Sequence, residues 1–313
     1  MSWRLPERLG HVSTIGIWSP SGAFANDPDK LALYERGVAF LRGLGLSVVE
    51  ASHCRGAWHH ASATPAERAA DLRELLDHPD IDLILPSIGG HVASQLLPLF
   101  DPRQVADSGK VLLGFSDNAL LPLVVADQTG TITIHHAADV TFGFGRFAEG
   151  HYPLSSTSFA DAISGRFDLT GTAGWRTLQP GAASGRLLGG NLKGLASLAG
   201  TRWWPNWQGS ILFWESTDPL HAVCQHLMQL ANAGVFDSIA GMIIGRVSTL
   251  SDSFYPPEQV LPIEKLLLDV LDLRFPIVVE ADLGHNVDNV AVPVGALAIL
   301  DAGDTVSCEL RLP

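Results

Sequence analysis

Positive charge is scarce in this 313-residue chain: 20 lysines and arginines stand against 33 aspartates and glutamates, a formal charge of -13. That balance argues against a nucleic-acid partner, because neutralising phosphates takes clustered Lys and Arg. It also disfavours docking on an anionic membrane surface. Cysteine is equally sparse. Cys54, Cys224 and Cys308 are odd in number and far apart, with no CxxC pair, which speaks against a disulfide framework and a thiolate zinc site. No apolar run approaches the roughly 18 residues that span a bilayer. The opening residues Met1 to Arg8 lack the apolar core of a signal peptide. The expectation is a folded protein of a reducing cytoplasm.

What is present is ample core material, 46% hydrophobic residues, in a chain long enough for two domains. The first half alternates apolar strands with amphipathic helices. Strands are expected at 12–18, 46–50, 81–86, 111–115 and 131–134, and helices at 31–44, 64–76, 92–97 and 118–127. Thr64-Pro65-Ala66-Glu67 combines an N-cap hydroxyl, a proline at the first helical position and a capping-box glutamate. Strands apolar on both faces and separated by helices indicate a parallel sheet covered on both sides. Ligands of such sheets sit at the carboxyl ends of the strands. From about residue 141 to 183 the periodicity dissolves, which reads as a connection. Strands resume near 183–188, 211–214, 239–244, 277–279, 296–300 and 305–310, with helices near 192–198, 221–231 and 258–270.

Two strand ends in the first half carry candidate chemistry. Gly114-Phe115-Ser116-Asp117 follows one apolar strand and opens a helical segment. A serine there projects above the sheet edge, and the helix start offers backbone N–H groups to a developing oxyanion. Asn118 stands where the hydrolase elbow G-x-S-x-G has its second glycine. The competing reading is an ordinary N-cap. Ser87-Ile88-Gly89-Gly90-His91 ends the neighbouring strand, and its glycines permit close backbone approach; the competing reading is a tight βα turn. The second half adds Glu215 at the end of Ile211-Leu212-Phe213-Trp214, and His285 beside Gly284 after another apolar strand. Nucleophile, carboxylate and histidine together form the set that activates a serine: imidazole takes the hydroxyl proton and the carboxylate fixes the tautomer. The paired histidines His59-His60 and His135-His136 are rival base or metal candidates, without a carboxylate at helical ligand spacing.

In the order and spacing of these pieces the chain resembles the LD-carboxypeptidases, a family that includes muramoyltetrapeptide carboxypeptidases and microcin C self-immunity peptidases. The resemblance runs through Ser19-Pro20-Ser21, Glu67-Arg68-Ala69-Ala70-Asp71-Leu72, Ile88-Gly89-Gly90, Gly114-Phe115-Ser116-Asp117 and Gly189-Gly190-Asn191-Leu192. It continues with Gly200-Thr201, Ile211 to Glu215, Ile244-Gly245-Arg246 and Gly284-His285. It implies an α/β fold with an N-terminal Rossmann-like parallel-sheet domain over residues 1–165 that bears the serine. A linker over 166–185 would lead to a C-terminal β-rich, swivelling and barrel-like α/β domain over 186–313 that bears Glu and His. By the same resemblance Ser116 is the nucleophile, Glu215 the acid, His285 the base, and the amides of Gly90 and Asp117 form the oxyanion hole.

The resemblance also implies a cytoplasmic homodimer needing no cofactor or metal and acting on a small peptide or peptidyl-nucleotide. Muramoyltetrapeptide carboxypeptidases usually show Arg-Gly-Gly-Tyr-Gly where this chain has Ile88-Gly89-Gly90-His91-Val92, a form more similar to the microcin-immunity branch. Substrate contacts are expected from Gly89 and His91. Arg246 suits a carboxylate or phosphate, or else a structural ion pair. Trp203 and Trp204 suit an aromatic moiety, or else core packing. A non-catalytic two-lobed protein closing on a small ligand is the alternative from another class.

Overall fold

The computed structural model describes residues 2–169, 174–248 and 255–313. In chain order the strands are β1 (Thr14–Trp18), β2 (Ser47–Glu50), β3 (Leu83–Pro86), β4 (Val111–Gly114), β5 (Thr133–His135), β6 (Arg176–Gln179), β7 (Gly181–Asn191), β8 (Ile211–Ser216), β9 (Gly241–Val247), β10 (Ile277–Ala281), β11 (Val292–Val294), β12 (Leu297–Ala302) and β13 (Val306–Arg311). They make two sheets, of six and seven strands. The chain divides into two compact units: residues 1–167 with 289–295 and 313, and residues 168–288 with 296–312.

The first unit is Rossmann-like. Its sheet runs β11-β5-β4-β3-β1-β2, and the five strands β1 to β5 are parallel. Strands β1, β3 and β4 are buried almost throughout, which is why they read as continuous apolar runs. Helix α1 (Pro28–Gly43) starts earlier than its apolar periodicity suggests, because Asp27 caps the amides of Asp29 and Lys30. Helix α2 (Pro65–Asp77) carries the complete Thr64–Glu67 capping box. The order 2-1-3-4-5 places a topological switch between β1 and β3, where the crevice of a doubly wound sheet opens. The loops after β1, β3 and β4 are 19–22, 87–92 and 115–117. They leave the carboxyl ends of three adjacent strands.

The second unit is β-rich α/β. Its sheet runs β13-β12-β7-β8-β9-β10-β6, with β7 to β10 parallel and β6, β12 and β13 antiparallel additions. A short helix Leu192–Ser197 joins β7 to β8, and Leu220–Asn232 joins β8 to β9.

The division of the chain differs from the sequence reading in two places. Within 166–185, read as linker, β6 and the start of β7 are strands of the second sheet; residues 170–173 lie outside the described residues. Residues 289–295, read as part of the C-terminal domain, contribute β11 antiparallel to β5 at the edge of the first sheet. A three-residue Val-Pro-Val segment has no period to read, and its proline fits an edge position. Residues 141–183 also contain the helix Pro153–Ile163. The helix expected at 258–270 is instead two short turns followed by a π-helical turn, Leu266–Val270.

Candidate active site

In the first unit, β4 ends at Gly114 and the chain turns sharply at Ser116, whose φ of +56° lies in the left-handed region. That conformation is uncommon for a residue with a Cβ, and it marks functional turns. Ser116 does not act as an N-cap: the four-residue helix Ser116–Ala119 begins without a side-chain cap bond. Asp117 occupies the second position of this helix, among the opening amides that have no acceptor within a helix. The Gly89-Gly90 pair lies against the serine. A Cβ on Gly89 would come within 2.9 Å of Ser116 Oγ. On Gly90 it would press on Ser21 and on the amide of Gly22. A side chain at Gly89 would push this loop away from the nucleophile turn, and one at Gly90 would push it away from the loop after β1.

In the second unit, β8 ends in Glu215, whose side chain is fully buried. His285 Nδ1 lies 2.7 Å from Glu215 Oε2, with 16% of the imidazole side chain exposed. The parallel register pairs Asn191 of β7 with Glu215, and Asn191 Nδ2 donates to the other carboxylate oxygen at 2.9 Å. The histidine loop is tied from below: Arg246 N donates to Leu283 O at 2.7 Å, and Ser248 Oγ donates to His285 O at 2.7 Å. A buried carboxylate on Nδ1 favours the tautomer that carries its proton on Nδ1 and a basic lone pair on Nε2.

Models of the LD-carboxypeptidase N-terminal and C-terminal domains match residues 15–136 and 184–300. A carboxypeptidase-like protein of Streptomyces coelicolor is 30% identical, over 98% of this chain and 96% of its own. The chain belongs to the LD-carboxypeptidase family. It is therefore a hydrolase of the carboxypeptidase type. The microcin C7 self-immunity protein MccF of Escherichia coli is 28% identical over 92% of this chain and 90% of its own. The murein tetrapeptide carboxypeptidase of Pseudomonas aeruginosa is 26% identical over 92% of each chain. The structure of MccF in complex with aspartyl sulfamoyl adenosine matches with a TM-score of 0.83 at 25% identity, covering both chains completely.

Against this family background the remaining sequence candidates separate. His91 is exposed directly after Gly90. Arg246, on β9, is engaged by Asp282 at 3.3 Å, and Trp175 Nε1 donates to the other oxygen of Asp282 at 2.9 Å. Its ion-pair role is thus realised. Trp203 is half-buried with the Arg202 guanidinium 4.5 Å over its ring, and Trp204 packs edge-on against Trp207. His135 and His136 are buried, and burial, reinforced by the neighbouring His135, pushes His136 down to about 3. Among the described residues no three His, Cys, Asp or Glu side chains gather as a metal site would require. No helix among them is long and apolar enough to cross a membrane. Sequence reasoning assigned no site role to Asn191, Ser248, Ser21 or Arg68. The resemblance at Gly189-Gly190-Asn191, Ser19-Pro20-Ser21 and Glu67-Arg68 is the signal that could raise three of them; Ser248 has none.

Proposed function

We propose that Ser116, His285 and Glu215 work as one catalytic triad that hydrolyses an amide through an acyl-serine intermediate. His285 Nε2 takes the Ser116 proton as Oγ bonds to the substrate carbonyl carbon. The backbone N–H groups of Gly90 and Asp117 donate hydrogen bonds to the resulting oxyanion. The imidazolium then gives its proton to the departing amine as the C–N bond breaks. In the second half His285 takes a proton from water, whose oxygen bonds to the acyl carbon, the C–Oγ bond breaks, Ser116 Oγ regains the proton and the carboxylic acid leaves. The observation that carries this reading is the buried Glu215 carboxylate on Nδ1 of a partly exposed histidine. The left-handed serine turn supports it.

The substrate of this reading carries a terminal D-amino acid or a nucleotide-like group on the scissile amide. The Ile88-Gly89-Gly90 loop and the MccF relationship favour a peptidyl-nucleotide, as in microcin C self-immunity. The full-length relationship to the Pseudomonas murein enzyme favours, as the second reading, a murein tetrapeptide ending in D-alanine. The test offers the protein both an aspartyl sulfamoyl adenosine and the tetrapeptide, alongside a fluorophosphonate probe. Labelling at Ser116 with cleavage of the first alone supports the leading reading. Cleavage of the tetrapeptide alone selects the second. A protein that binds either compound, resists the probe and cleaves nothing is a binding protein, and the triad reading is then wrong.

A further inference from the structure

Beneath the serine turn lies a polar cluster that the triad chemistry does not use. Arg68, on α2, is fully buried. Its guanidinium donates to the carbonyl oxygens of Pro20 (2.5 Å), Ala63 (3.0 Å) and Val92 (3.3 Å), and to Gln95 Oε1 (2.5 Å). Ser21, also fully buried, donates through Oγ to Asp117 Oδ2 at 2.5 Å and accepts from Val92 N at 3.2 Å. The same Asp117 oxygen accepts from Ala93 N at 2.8 Å. The loops after β1, β3 and β4 are therefore stitched to one another twice. Arg68 holds the first two through Pro20 and Val92, and Asp117 holds the same two from the nucleophile turn.

Burying a guanidinium costs free energy unless every donor is well placed, and apolar replacements are often at least as stable. Fold stability alone is thus a weak reason for this cluster. Its position supplies a stronger one. Asp117 carries a carboxylate one residue from the nucleophile, where bare negative charge would oppose an oxyanion. That charge is met by the Ser21 hydroxyl and the Ala93 amide, and the positive charge of Arg68 attracts it. The pair Gly89-Gly90 sits so close to Ser116 and Ser21 that a small drift of the β3 loop would misplace it.

We propose that Ser21 and Arg68 are positioning residues, which hold the Gly90 and Asp117 amides at the places an oxyanion needs. The proposal rests on the reading of Ser116 as nucleophile. Misplacement by about 1 Å costs about a hundredfold in rate, and loss of one oxyanion donor about a hundred- to a thousandfold.

The test uses the full chain and two readouts: kcat and KM on whichever of the two amides is cleaved, and the second-order rate of fluorophosphonate labelling. The phosphonyl oxygen enters the same oxyanion hole as the substrate. Ser21→Ala should lower kcat and labelling together by about ten- to a hundredfold, with KM within about twofold. Ser21→Thr, which keeps the hydroxyl, should recover most of both. Arg68→Lys keeps the charge but loses the fork that spans four acceptors, so it should fall with Ser21→Ala. Rates are normalised to the folded fraction by circular dichroism. Unchanged kcat and labelling in folded Ser21→Ala overturn the proposal. So does a loss that only tracks the unfolded fraction and that Ser21→Thr fails to recover. Full turnover by Ser116→Ala is a different failure: it removes the nucleophile reading and this proposal with it.

Discussion

The serine of the first unit and the histidine of the second are both held to tight tolerances, by opposite means. Around Ser116 the backbone does the holding. A left-handed turn, two glycines in near contact and a buried cluster shared by three loops leave the serine side chain itself without a cap bond. Around His285 a side chain does it: one fully buried carboxylate at 2.7 Å, itself steadied by Asn191 from the next parallel strand. Backbone restraint spreads the task over many weak contacts, whereas a side-chain pair concentrates it in one. Substitutions near the serine should therefore degrade activity gradually, and those at the carboxylate abruptly.

Four substitutions test that contrast. The largest effect is expected for Ser116→Ala, about 10⁴- to 10⁶-fold in kcat with the fold intact, read from kcat on the cleaved amide and from circular dichroism. A loss below tenfold would remove the serine from the chemistry. Glu215→Gln should follow at about 10³- to 10⁴-fold, because the amide keeps the shape but no longer fixes the tautomer or stabilises the imidazolium. If it cost no more than Ser21→Ala, the contrast between the two units would fail. Asn191→Ala removes one bond from the carboxylate and should lower kcat by about tenfold, with little change in melting temperature.

The smallest effect at neutral pH concerns the serine-bearing unit as a fold. His136 is buried there and its pKa is pushed down to about 3, against an ordinary 6.5, so the native state refuses a proton that the unfolded chain accepts. Its contribution is intact above about pH 6.5. It is lost as pH falls toward 3, by about 1.4 kcal/mol per pH unit. His136→Gln should flatten the acid limb of urea-unfolding stability between pH 6 and 4 by close to one proton, whatever its effect on stability at pH 7. An unchanged slope would show that His136 is protonated in the native state.

Much of this molecule was legible in its sequence, for identifiable reasons. Parallel strands covered on both faces must be apolar throughout, so β1, β3 and β4 announced themselves. The capping box of α2 is a local pattern made by local bonds and needs no tertiary context. Edge additions were illegible. Strands β6 and β11 are short and carry no alternation that a pattern could reveal. Arg246 illustrates a different limit, since its two readings shared one sequence and only the placement of Asp282 revealed the ion pair.

By itself the sequence determined the order of elements, the strand ends that bear Ser116, Glu215 and His285, and the family to which their spacing belongs. Periodicity and spacing are written in near neighbours, and near neighbours suffice to read them. Only the tertiary structure decided that Asn191 faces Glu215 across a parallel register and that Ser21, Arg68 and Asp117 meet beneath the nucleophile turn. It also returned β11 to the first sheet. Those pairings join residues 24 to 161 positions apart, and contacts over such separations are set by how strands register and loops close, which no local pattern encodes.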